Sequence, residues 1–236
     1  MQPVDFLPIW LAEILFWVYY NQTLIAGVAA TGAAVLTISE LRKQRTEEYS
    51  RRHRMLRAGL PTALSAITEY AERCLRLFLA NLDEGGILEM PPLPNEAYQN
   101  VQAVIETADD PVAADLERLL RFGQIQHSRL RSHIEDADET QIVTTAGKPS
   151  EHQRRRIYSL VLDALFLHNS VSRLYEYARG ESDQAKSWRD ETTAENLLFT
   201  FSHPTGGFVR DRGPLEQYVR RYWMSLVKAD GLPKTH

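Results

Sequence analysis

A chain of 236 residues, 44% hydrophobic and 25% charged, has the composition of a globular protein with room for one substantial domain and appendages. Its net charge of -4 excludes a global attraction to nucleic acid, so any basic function has to be local. The single cysteine, Cys74, excludes an intramolecular disulfide and a cysteine-built zinc site, and it fits a reducing compartment for the bulk of the chain.

From Phe6 to Ile38 the only charged side chain is Glu13. As one helix this run is about 50 Å long, more than the ~30 Å core of a bilayer requires, so it holds one span and not two. A cleavable signal peptide does not fit, because Asp5 and no Lys or Arg precede the apolar run. The partition that follows puts residues 1–16 at the outer interface and a transmembrane helix over residues 17–39. Trp17, Tyr19 and Tyr20 then occupy an aromatic belt. Rich in Ala and Gly, the span gains only a few kcal/mol from Leu24, Ile25, Val28, Val35, Leu36 and Ile38, at about 0.3 to 0.6 each, so the aromatic lead-in has to help.

A soluble hairpin buried in a core is the competing reading, and the flank argues against it. Arg42, Lys43, Arg45, Arg51, Arg52, Arg54 and Arg57 follow the run, whereas no Lys or Arg precedes it. By the positive-inside rule the N-terminus lies outside and everything after Leu41 is cytoplasmic. Within the span Ala26, Ala30 and Ala34 recur every four residues, a spacing that lets a second helix approach closely, although Ala and Gly are also simply common in such helices.

Residues 40–58 read as a basic juxtamembrane helix, polar nearly all round. Seven basic and two acidic residues between Arg42 and Arg57 leave a local charge of +5. Arg42, Lys43, Arg45, Arg51 and Arg52 are the expected contacts to anionic lipid headgroups, at about 1 kcal/mol per basic residue near the surface. The run serves equally as the topology signal alone. Gly59 and Pro61 are expected to end this helix.

A cytoplasmic helical domain is expected over residues 61–230. Leu64, Ile67, Ala71, Cys74, Leu75, Phe78 and Leu82 fall at helical spacing, ending near Gly85 and Gly86, with Cys74 as an inert core thiol. ILEMPPLP reads as a linker, and Asn95 can cap a short helix to about Ala108. Pro111 opens a longer helix whose stripe is Val112, Leu116, Leu119, Gly123, His127, Leu130 and Ile134. After a loop from Thr140 to Pro149, Ser150 or a neighbour starts the most apolar helix, which stops at Gly180. Thr192 and Glu195 have capping-box spacing before AENLLFTF. HPTGGFVRDRG reads as a loop, and Pro214 begins a final helix with Leu215, Tyr218, Val219, Tyr222 and Leu226 on one face. No period-two strand of useful length appears, so the fold class is all-α: a transmembrane helix followed by a helical bundle.

Two charge clusters are each locally unfavourable. Glu135, Asp136, Asp138 and Glu139 crowd a helix C-terminus, and Arg154, Arg155 and Arg156 occupy the first turns of the next helix. An antiparallel pairing of the two helices brings the clusters together.

The residues offer little chemistry. His127 and His133 are six apart and point about 240° apart on a helix. His127 and His168 share apolar stripes, but in a hairpin His168 lies level with about position 119, some 12 Å from His127. No HExxH, GxSxG or GxGxxG occurs, AGKPS lacks the first glycine of a phosphate loop, and TGGFVRDRG reads as a surface loop rather than an anion cradle. Neither cofactor, metal nor catalytic residue is expected, and Arg154 to Arg156 without a recognition module do not imply nucleic acid.

The run QTLIAGVAATGAAVLTI with its basic, helical continuation resembles the N-terminal anchor of uncharacterised single-pass bacterial inner-membrane proteins. The resemblance covers residues 20–45 and implies location in the inner (plasma) membrane, not an activity. The expected role is that of a membrane-anchored scaffold or interaction protein, self-associating or paired with a membrane partner, and not an enzyme. A sensor or regulatory subunit whose span packing alters the domain is the alternative, with an enzyme of unspecified type third.

Overall fold

The structure, a computed structural model, describes residues 9–84, 89–141, 150–186, 191–202 and 212–229. Seven helices occupy them: α1 (Ile9–Tyr20), α2 (Gln22–Glu84), α3 (Asn95–Ile105), α4 (Asp110–Gln141), α5 (Glu151–Arg179), α6 (Glu191–Ser202) and α7 (Arg212–Ala229). Among the described residues there is no strand, and the fold is all-α as the periodicity predicts. The chain divides into two units, Met1–Arg52 and His53–His236.

In the second unit α5 is the central element, with buried side chains on all its faces from Ile157 to Ala178. Its ends carry the signals expected of them. The Ser150 side chain accepts the Gln153 N–H while the Gln153 side chain accepts the Ser150 N–H, a complete capping box, and Gly180 stops the helix in the left-handed region at φ 78°. Helix α4 runs antiparallel to α5, since Asp115 meets Arg173, Arg129 meets Ser159 and Ser132 meets Arg156. The two charge clusters do come together: Arg156 pairs with Asp136 at 2.5 Å. Asp138 and Glu139 lie outside the described side chains.

From Leu60 onward α2 buries its stripe in the same core, Leu64, Ile67, Ala71, Cys74, Leu75, Phe78 and Leu82 all being buried. It lies against α5 through Ser65 and Thr68, both near Tyr175 Oη, and against α4 through Tyr70, whose hydroxyl is 3.1 Å from His127 Nδ1. At the start of the unit His53 bridges two elements, with Nδ1 3.0 Å from Thr107 Oγ1 and Nε2 3.2 Å from Tyr177 Oη. Arg57 donates to the carbonyls of Tyr177 at 2.6 Å and Ser182 at 2.5 Å and stacks 4.2 Å over the Tyr177 ring. These bonds tie α2 to the C-terminal end of α5 and to the turn that follows it.

Several expectations are corrected. Pro61 does not end a helix; it lies inside α2. An interior proline costs about 3 kcal/mol, but Leu60 and Leu64 on either side are fully buried, at about 1.5 to 3 kcal/mol each, so packing outweighs the local penalty. Asn95 is the first residue of α3 rather than its cap; Pro94 holds the cap position and no side chain caps the helix. Thr192 likewise lies inside α6, which starts at Glu191, and α7 starts two residues before Pro214. The buried face of α7 is Leu215, Val219 and Trp223, with Tyr222 41% exposed. Trp223 is drawn in by Phe166, their rings 5.7 Å apart edge to face. Gly85 and Gly86, the loop after Gln141, Trp188, residues 203–211 and the Leu226 side chain lie outside the described residues.

Candidate functional site

The first unit carries the feature that the second lacks, a helix apolar on its exterior. In α1 the side chains of Trp10, Phe16, Trp17, Tyr19 and Tyr20 are exposed. At 12 residues α1 is about 18 Å long, too short to cross a bilayer core of ~30 Å. It ends at a turn where the Asn21 N–H and its side-chain amide both donate to the Trp17 carbonyl, at 3.0 and 2.9 Å. The uninterrupted helix therefore begins at Gln22, inside the interval 17–39.

Helix α2 contains a stretch long and apolar enough to cross a membrane, and none of that stretch is buried by the rest of the chain. From Gln22 to Ser39 it rises about 27 Å, close to a bilayer core. Three of its hydroxyls bond their own backbone: Thr31 Oγ1 donates to the Gly27 carbonyl and Thr37 Oγ1 to the Ala33 carbonyl, both at 2.8 Å. Ser39 Oγ donates to the Leu36 carbonyl at 2.8 Å. A helix built this way presents no unmet hydroxyl donor from these residues, the condition that hydrocarbon imposes.

At about 100° per residue the stretch has two faces. Leu24, Val28, Thr31, Val35 and Ile38 fall on one, and Ala26, Ala30, Ala33 and Ala34 on the other. Ala26, Ala30 and Ala34 are all exposed, and a side chain added at Gly27 or Gly32 would meet nothing within 4 Å. The small face is thus exposed among the described residues.

Past Ser39 the character changes within three residues. Arg42, Lys43, Arg45, Arg51 and Arg52 are exposed. Arg57, which sequence reading groups with them, belongs instead to the folded domain, its side chain only 16% exposed. The signal that separates it is the apolar stripe resuming at Leu56 and Leu60, one residue before it and three after.

The described histidines do not gather at one place. His127 bonds Tyr70, while His168 lies 3.9 Å from Glu72 and, from the α4–α5 pairings, level with about residue 120. His133 is buried between α4 and α5, and burial lowers its pKa, with Arg156 adding to the effect and Asp136 opposing it. Burial pushes the Cys74 thiol up to about 11, which keeps it protonated and unreactive at neutral pH. Among the described residues no group of three or more His, Cys, Asp or Glu side chains is placed to hold a metal ion. No protein-family model matches the chain, and it has no match among curated proteins or solved structures.

Proposed function

We propose that this chain is a membrane-anchored helical scaffold, with α2 from Gln22 to about Ser39 crossing the inner (plasma) membrane and the second unit acting as a cytoplasmic interaction domain. The observation that carries the reading is the wholly exposed apolar stretch of α2 ending at a basic run, with no basic residue before it. Positive charge resists translocation, so the N-terminus lies outside.

The basic residues contribute unequally. Along an upright helix Arg42 to Arg45 stand about 5 to 9 Å past Ser39, within or beside a headgroup layer of roughly 5 to 8 Å. Arg51 and Arg52 stand about 18 to 20 Å out, roughly 10 to 15 Å past the headgroup layer and so beyond one Debye length of about 8 Å. Lipid attraction rests chiefly on Arg42, Lys43 and Arg45, and Arg51 and Arg52 join it only where α2 inclines. The partner surface is the Ala26, Ala30, Ala34 face, against which a second copy or another membrane helix packs. An Ala30→Leu variant that associates in membranes as the parent does would remove that surface from the reading.

A reporter active only in the cytoplasm, fused after His236, tests the topology. Signal from membrane-inserted protein is the expected result, and silence overturns the orientation. A sensor or regulatory subunit is the second reading, favoured by one observation: α2 carries the apolar stretch and the core stripe from Leu60 in a single element. Ala30→Leu distinguishes the two. A scaffold keeps the amide exchange of α4 and α5 unchanged, whereas a sensor alters it.

A further inference from the structure

Helices α2, α3 and α4 bring a thiol, a phenol and an amide together at Cys74, Tyr98 and Gln126. Gln126 is fully buried, and neither atom of its amide has a hydrogen-bond partner. Tyr98 Oη is buried and likewise without one. The Gln126 amide lies beside the Cys74 thiol, and the phenol is packed against Gly123, one turn along α4 from that amide. Tyr70 closes the far side, touching Cys74 while its hydroxyl engages His127.

The position of the phenol is built into α4. A Cβ at Gly123 would lie 2.0 Å from Tyr98 Oη, so only glycine admits the hydroxyl there, one turn before Gln126. An amide has two donors and a carbonyl acceptor, and a phenol adds one of each. Folded proteins leave few such groups unmet in the interior, and a buried water typically makes about three hydrogen bonds to groups of this kind. The groups around the thiol are neutral, since burial keeps both tyrosines and Cys74 protonated, which suits a neutral ligand and not an ion.

We propose that this corner binds one ordered water molecule, held between the Gln126 amide and the Tyr98 hydroxyl beside Cys74. The water accounts for a buried amide on α4 and ties α3 to α4 through a shared bond network.

The sign of a stability change tests it. In the detergent-solubilised full chain, Gln126→Met and Tyr98→Phe should each lower the thermal midpoint by about 2 to 4 °C, and the double variant should fall no further than the worse single one, because both lose the same water. If the amide is dry, Gln126→Met removes an unmet buried polar group and raises the midpoint; that result overturns the proposal, as do additive losses in the double variant. Should either variant fail to fold, the parent gives a second readout. Magnetisation transfer from a long-lived water to the Gln126 side-chain amide protons is expected, and its absence, or a direct Gln126–Tyr98 bond in a crystal structure of the full chain, overturns the site.

Discussion

Leu24 and Leu64 lie on the same helix, α2, yet Leu24 is 64% exposed and Leu64 is fully buried. The contrast holds for whole regions. In the first unit apolar side chains point outward and hydroxyls bond their own helix, as Thr31 and Thr37 do. In the second, apolar side chains fill the interior, and even buried Arg173 is engaged, donating to the Lys186 carbonyl at 2.6 Å and pairing with Asp115 at 3.6 Å. The second unit buries its apolar side chains within itself, whereas the first leaves its own exposed. Its sequence is therefore consistent with a lipid solvent, and the same residue type carries opposite energetic meaning in the two halves of one helix.

The largest expected difference comes from truncating one apolar side chain in each region. Phe78 is fully buried, and Phe78→Ala should cost about 3 to 5 kcal/mol of domain stability through lost burial and the cavity left behind. Leu24→Ala should leave the unfolding of the second unit unchanged, since Leu24 belongs to the first unit and is exposed. Urea unfolding in detergent, followed by amide hydrogen exchange of α5, measures both. Equal losses in the two variants would break the distinction between the regions.

How much of this was legible in the sequence follows from how local each signal is. Ser150, Gln153 and Gly180 act within one turn of a helix end, and both caps of α5 are found where the sequence puts them. The α4–α5 register was legible too, because a hairpin is fixed by its loop and its charges; His168 lies within about one residue of its expected level. Pro61 misled because its penalty is local while the burial of Leu60 and Leu64 that overcomes it depends on helices far along the chain. Trp223 was missed for the same reason: Tyr222 and Trp223 are adjacent, and only Phe166 decides which turns inward. The Tyr98, Gly123 and Gln126 corner had one visible trace, a glycine in the apolar stripe of α4, but nothing in the sequence says that a tyrosine on α3 fills its space.

A smaller, pH-dependent effect sharpens the comparison, because ionisable groups in the second unit are buried where those of the first are exposed. The Asp163 side chain is 16% exposed and pairs with Arg129, which also donates to Ser159 at 2.6 Å. Burial pushes its pKa up from 3.8 to about 6, with Arg129 opposing. The folded state then binds a proton more tightly than the unfolded one, so the contribution of Asp163 is fully present below about pH 4 and is lost as pH rises through about 6, on the order of 2 kcal/mol. His127 and His133 act in the opposite sense: burial lowers both below 6.5, so their contribution is present above that value and is lost as pH falls. Asp163→Asn mimics the protonated acid. It should raise the urea midpoint at pH 7.5 and raise it only about a third as much at pH 4.5; a gain of the same size at both would refute the assignment.

The smallest effect belongs to the charges that close the α4–α5 hairpin. Acidic residues at the end of α4 and arginines at the start of α5 each oppose their own helix dipole, at about 0.3 to 1 kcal/mol per exposed charge. Asp136 and Arg156 offset one another at 2.5 Å, and Glu135 is held by Arg131 at 2.8 Å. Both members of the cross-helix pair are partly exposed, at 54% and 36%, so screening limits its worth to about 0 to 1 kcal/mol. Its consequence lies in register more than in total stability, because sliding α5 by one turn would set Arg156 away from Asp136 while the apolar stripes still overlapped. Asp136→Arg and Arg156→Asp should each lower the urea midpoint slightly at low salt, the double reversal should restore most of the loss, and all three differences should shrink at 1 M salt. A double reversal no better than the single ones would mean that the two charges are solvated separately and that the apolar stripes alone set the pairing.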